Sequence, residues 1–120
     1  MENQEIPGEG EYALQIVGES HYQEALAAIC GGKTEDGHEK EVEARLVFEN
    51  DNRYDDHAVR VDIDGKAVGY LKREHARQVR KQIKRDDPPI TCKAVIVGGW
   101  DRGHGDTGHF GVKLDIPYEP

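Results

Sequence analysis

Apolar and polar residues alternate over much of this chain with the two-residue period of half-buried strands. The clearest run is Glu41 to Phe48, where Val42, Ala44, Leu46 and Phe48 point one way and Glu41, Glu43 and Arg45 the other. Val59, Val61 and Ile63 alternate with Arg60 and Asp62, and Asp64-Gly65 follows. That dipeptide predicts a tight hairpin turn, because such a turn needs positive φ and Gly adopts it without steric cost. Val68 and Leu71 begin the return strand. Further strands are predicted over Tyr12 to Val17 (Tyr12, Leu14 and Ile16 on one face), Ile90 to Val97, and the run Phe110, Val112, Leu114, Ile116. In the Ile90 to Val97 strand, Cys92, Ala94 and Ile96 are set against Ile90, Thr91, Val95 and Val97.

Two stretches have helical spacing instead. His21 to Cys30 carries Leu26, Ile29 and Cys30 on one face and ends at Gly31-Gly32. Ser20 fits an N-cap there, with Gln23 three residues on completing a capping box. Glu74 to Lys84 has a thin stripe of Ala76, Val79 and Ile83 and a broad cationic face, and Asp86-Asp87-Pro88-Pro89 stops it. Lys33 to Lys40 reads as a polar loop. Gly98 to Gly108 reads as a long mobile hairpin loop, in which Trp100 serves either as a lid over a barrel mouth or as a contact for a base. Residues 1–10 have no apolar period and are expected as a flexible acidic tail, residues 11–117 as one domain, and residues 118–120 as a C-terminal tail. Many short strands with two helices, mostly in hairpin order, predict a mainly β (α+β) fold: a small, partly closed β-barrel with helical decoration.

Composition narrows the function. The chain has 120 residues, enough for one modest core. No apolar run approaches a membrane span and no signal pattern opens the chain, so a cytoplasmic location is expected. Cys30 and Cys92 are the only cysteines and lie in unrelated contexts, which fits a reducing compartment. The net charge of −8 argues against a nucleic-acid partner until its distribution is considered. Met1 to Ser20 holds Glu2, Glu5, Glu9, Glu11 and Glu19 with no Lys or Arg. Lys72 to Arg85 holds Lys72, Arg73, Arg77, Arg80, Lys81, Lys84 and Arg85 against Glu74 alone. Segregation of this kind makes a positive face on an acidic protein. The histidines show no metal-ligand spacing, and neither a nucleophile–base arrangement nor a phosphate-cradling Gly-Lys loop is present, so no metal, no cofactor and no catalysis are expected.

Three stretches carry a family resemblance: Val17-Gly18-Glu19-Ser20-His21-Tyr22-Gln23, Glu49-Asn50-Asp51-Asn52-Arg53-Tyr54-Asp55-Asp56-His57-Ala58-Val59-Arg60-Val61, and Val68-Gly69-Tyr70-Leu71-Lys72-Arg73-Glu74. Together they resemble the HIRAN domain, from about Tyr12 to Ile116. Such domains stand at the N-terminus of SNF2-type DNA repair helicases and occur as free-standing bacterial proteins, the type this chain is most similar to. The resemblance implies an oligonucleotide-binding-like β-barrel that captures the 3′ end of single-stranded DNA without catalysis, in DNA repair or processing, with a helicase or nuclease as partner protein. A monomer is expected. It also implies a nucleic-acid-binding set: Tyr54 as the second stacking aromatic, Asp55 as the carboxylate at the terminal hydroxyl, Asn52 as their polar neighbour, and His21, with Tyr22 beside it, at the first aromatic position. Lys72, Arg73 and the cationic helix are expected to follow the phosphates. Ser20 stands where the family pattern has a basic residue, and Arg53 where it has Pro. On the residues alone Asn52 to Asp55 also reads as a simple turn, and Tyr70 fits either a cross-strand core position or the pocket. The alternative function is a protein-interaction or adaptor domain that docks through the cationic helix or a barrel edge.

Overall fold

The computed structural model describes residues 3–117. Seven strands and two helices follow in the order β1 (Gln4–Glu5), β2 (Leu14–Gln15), a 3₁₀ turn (Glu19–His21), α1 (Gln23–Cys30), β3 (His38–Glu49), β4 (Ala58–Ile63), β5 (Lys66–Tyr70), α2 (Arg73–Gln82), β6 (Ile90–Gly98) and β7 (Phe110–Leu114). The sheet runs β2-β7-β6-β3-β4-β5, every neighbour on that path antiparallel, with β1 added parallel to β6. The long β3 makes the curl. Its first part pairs with β6, from His38 opposite Gly98 to Leu46 opposite Ile90, and its last part pairs with β4, from Ala44 opposite Ile63 to Glu49 opposite Ala58.

The curled sheet meets itself at one point. Val17 donates its N–H to the Tyr70 carbonyl at 2.8 Å and accepts from the Tyr70 N–H at 2.9 Å. Residues 14–17 therefore touch β7 on one side and β5 on the other. Gly69 permits this closure. Its φ is +156°, and a Cβ there would sit 2.6 Å from the Val17 carbonyl oxygen. The result is a mostly β fold with a curled antiparallel sheet and two helices, compatible with a small barrel of the oligonucleotide-binding kind.

The alternating residues fill the interior as expected: Leu46, Val59, Val61, Ile63, Val68, Val112 and Leu114 are all buried. Each such side chain contributes about 1.5–3 kcal/mol by leaving water. The Asp64-Gly65 turn has φ of +53° and +74°, the geometry required of a two-residue hairpin loop.

Several expectations need correction. In β6, Ile90 joins Cys92, Ala94 and Ile96 on the buried inner face, while Thr91 and Val95 are buried on the outer face. At Thr91 β1 pairs alongside β6, and Ile6 donates its N–H to the Thr91 carbonyl at 2.9 Å. The same contact overturns the flexible tail at residues 4–6, where Ile6 is core. A single apolar residue carries no period, so its burial follows from tertiary packing alone. Gly10 and Tyr12 are also tied down, their N–H groups donating to the buried Asp115 carboxylate at 3.0 and 3.2 Å. The capping box is absent. Ser20 lies in the 3₁₀ turn, Tyr22 occupies the N-cap without a side-chain bond, and the Gln23 side-chain amide instead bonds the backbone of Phe110, its Oε1 accepting the N–H at 2.8 Å and its Nε2 donating to the C=O at 3.0 Å. The glycine-rich loop folds back on itself through a bridge between Asp101 and Thr107 and is tied to the loop before β3 by a bridge between Trp100 and Thr34. Residues 118–120 lie outside the described residues. Among the described residues no helix is long and apolar enough to cross a membrane.

Candidate nucleic-acid interface

The turn between β3 and β4 is built from its own side chains. Asn52 Oδ1 accepts the N–H groups of Tyr54 (2.9 Å) and Asp55 (3.2 Å), and Asp55 Oδ1 accepts that of His57 (2.9 Å). Two successive side-chain turns of this kind fix a loop without any neighbour. Arg80 of α2 then straps it from outside. Its guanidinium donates to the carbonyls of His57 (2.8 Å) and Ala58 (2.9 Å) and to Asn50 Oδ1 (2.8 Å), and lies 4.4 Å from the centre of the Phe48 ring. Arg80 is thereby taken out of the cationic face expected to follow phosphates.

This loop holds Tyr54 at 86 % exposure; among the described residues the only other exposed large apolar side chain is Val17, at 38 %. Beside Tyr54 is an open pocket of about 440 Å³ lined by Asn52, Tyr54, Asp55, Ala58, Tyr70, Leu71 and Arg73. Leu71 and Ala58 give it an apolar floor. Five of the eight expected residues, Asn52, Tyr54, Asp55, Tyr70 and Arg73, are therefore brought to one cavity. Tyr22 reaches it through Tyr70, whose hydroxyl it neighbours. His21, at the end of the 3₁₀ turn, and Lys72, at the N-cap of α2, are exposed and outside the wall.

Glu49, which sequence reasoning missed, is the pivot beneath the pocket. Its Oε1 accepts from Asn52 Nδ2 and the Tyr70 hydroxyl, both at 3.0 Å, and its Oε2 accepts from Arg60 at 3.1 Å. Arg60 in turn grips Asp62 through Nε at 2.8 Å and a terminal nitrogen at 3.0 Å. Burial pushes the Glu49 carboxyl up, but the bonds from Asn52, Tyr70 and Arg60 outweigh it and hold the group below its ordinary range. Burial and the Glu49 carboxylate push the Tyr70 hydroxyl up to about 12. Tyr70 is thus a fixed donor to Glu49 that lines the pocket and is half-buried, outside the hydrophobic core. The only signal for Glu49 is strand register, since Arg60 faces Tyr70 across β4 and β5.

Asp55 is the pocket's carboxylate. The His57 N–H chiefly, with Arg73 and Arg77, holds it below its ordinary range despite partial burial, and Arg73 Nε lies 3.4 Å from Oδ2. It is an ionised acceptor with lone pairs to spare. Ligand atoms of Asp55, Asp56 and His57 lie within 4.8 Å of one another, but Asp56 is already paired with His57 at 2.8 Å. Trp100 lies elsewhere. It packs on Gly108 under Arg102 and lines a separate groove with Glu19, Ser20 and Phe110.

The pattern of the HIRAN domain family matches residues 10–101. No curated protein and no solved structure matches the chain. The match concerns the domain alone, so a likeness to SNF2-type repair proteins is no part of it.

Proposed function

The chain belongs to the HIRAN domain family, a family of binding domains, and from that premise we propose that it is a non-catalytic module that takes the 3′ end of single-stranded DNA into the Tyr54 pocket. Family membership points to nucleic-acid binding in general. The observation that carries the finer reading is a largely exposed aromatic ring and an ionised carboxylate fixed on one short turn, above an apolar floor.

The chemistry follows from the geometry. A terminal base stacks on Tyr54, an interaction worth about 1–3 kcal/mol and indifferent to base identity. Asp55 has no use against a phosphate, which it repels, but it accepts a hydrogen bond from a terminal hydroxyl. Arg73, already beside Asp55, offsets the carboxylate's field and presents its other N–H groups to the adjoining phosphate. Asn52, Glu49 and Arg80 keep the turn in place, so little ordering is lost on binding. Work in DNA repair or processing, beside a helicase or nuclease, belongs to the same proposal.

Fluorescence anisotropy with a single-stranded oligonucleotide tests it. Tyr54→Ala should weaken binding about five- to a hundred-fold and leave the thermal midpoint unchanged, because the ring is 86 % exposed. Affinity should fall steeply with salt, as phosphate contacts require. Salt-independent binding, or binding indifferent to Tyr54, would hand this face to a protein partner instead.

A further inference from the structure

The cationic helix does not end at the pocket. Arg73, Arg77 and Lys81 follow one another at four-residue spacing and so form one ridge across the exposed surface of α2. Eight residues of helix carry this ridge about 12 Å, roughly three stacked nucleotide steps. Its start, Arg73, is a wall of the Tyr54 pocket. Its end, Lys81, is a wall of a different groove, of about 570 Å³, between α2 and the N-terminal segment.

That groove has the makings of a base-binding site. Ile6 and Ile116, nearly fully buried, form its floor, Pro7 adds an exposed apolar edge, and Gln82 supplies an amide with both donor and acceptor. Its volume lies within the range of pockets that admit small organic groups. Among the described residues neither Arg77 nor Lys81 has an ion-pair partner within 4.0 Å, whereas Arg73 and Arg80 are engaged. One carboxylate, Glu9, faces the groove, and Glu74 is the only one on the helix.

We propose that this groove is a second nucleobase subsite, occupied by an upstream nucleotide of the same single strand whose 3′ end fills the Tyr54 pocket. The strand crosses α2 along Arg73, Arg77 and Lys81, its phosphates on the ridge and an upstream base on the Ile6–Ile116 floor. A polyanion with apolar faces is the occupant that this row of exposed cations leading to an apolar floor complements. The proposal rests on the end-binding reading above, and its test separates the two.

The probes are 5′-labelled oligothymidylates with free 3′ ends, four and ten nucleotides long, titrated by anisotropy with the intact chain. The wild type should bind the longer probe more tightly. Lys81→Gln should leave the short probe unaffected, weaken the long one about three- to five-fold, and lower its salt slope by about 0.7. Glu9→Gln should tighten the long probe alone, a change of opposite sign that a folding defect does not produce. If the long probe binds both variants as it binds the wild type, the second subsite is wrong and the end pocket stands. If the wild type binds neither probe, or Tyr54→Ala binds both as the wild type does, the end-binding reading fails and the subsite falls with it.

Discussion

Tyr54 and Glu49 are five residues apart and make opposite demands on the fold. Tyr54 is exposed and bonds only through its backbone, whereas Glu49 is half-buried and receives three side-chain hydrogen bonds. Glu49→Gln should therefore destabilise the protein by about 1–3 kcal/mol, since it takes the charge from the Arg60 bond and disturbs the acceptor of Tyr70. The sign of the pH dependence is fixed. The folded carboxyl is held below its ordinary 4.5, so its contribution is complete above pH 4.5 and is lost as pH falls through the lower folded value. Urea midpoints of wild type and Glu49→Gln should differ by a constant amount above pH 4.5 and converge below it; a gap that widens in acid would contradict this. The residues of the turn were readable because Asn52 and Asp55 shape it through bonds two or three residues long. Glu49 was not, because it meets Arg60 and Tyr70 only through the pairing of β3 with β4 and of β4 with β5, which the alternation of Val59, Val61 and Ile63 does not specify.

Among the elements, α2 shows how much a helical pattern gives and where it stops. Ala76 and Val79 face the core as their spacing predicts, and Arg73–Gln82 lies within two residues of the expected bounds at each end. The broad cationic face, however, divides by neighbour. Arg80 is a structural strap over the turn of residues 50–58, and Lys81, one position on, lines an open groove. Arg80→Ala should cost about 1–3 kcal/mol in chemical denaturation through lost bonds to two carbonyls and Asn50. Lys81→Ala should change stability by less than about 0.5 kcal/mol, as exposed substitutions do. Equal losses would show that the strap does not hold the turn. Gln23 teaches the same lesson in α1: local capping rules assign it to Ser20, but the 87-residue reach to Phe110 wins.

For the whole molecule, the decisive features are closure and charge. Closure depends on one bridge between Val17 and Tyr70, the latter also a wall of the pocket, so the barrel's seam and the site share a residue. Gly69→Ala puts a methyl against the Val17 carbonyl and Ile16. It should destabilise by about 1–3 kcal/mol and speed hydrogen exchange at the Val17 and Tyr70 amides more than at Leu46; uniform loss of protection would mean that the seam is not a separate weak point. The mostly β class with two helices was legible from strand count and hairpin order, while the seam and the docking of Gln4 to Ile6 were not, since both pair short segments with no period of their own. Charge acts at the same scale. A net −8 protein can bind DNA only through a segregated face, so on the proposed reading the end pocket must supply the selectivity. That selectivity is read most directly by titrating the protein with two otherwise identical single-stranded oligonucleotides, one ending in a 3′-hydroxyl and one in a 3′-phosphate, at a single salt concentration. Recognition by Asp55 predicts at least about tenfold tighter binding of the hydroxyl end, a difference of about 1.4 kcal/mol, abolished in Asp55→Asn. Equal affinity for the two ends in the wild type would contradict it.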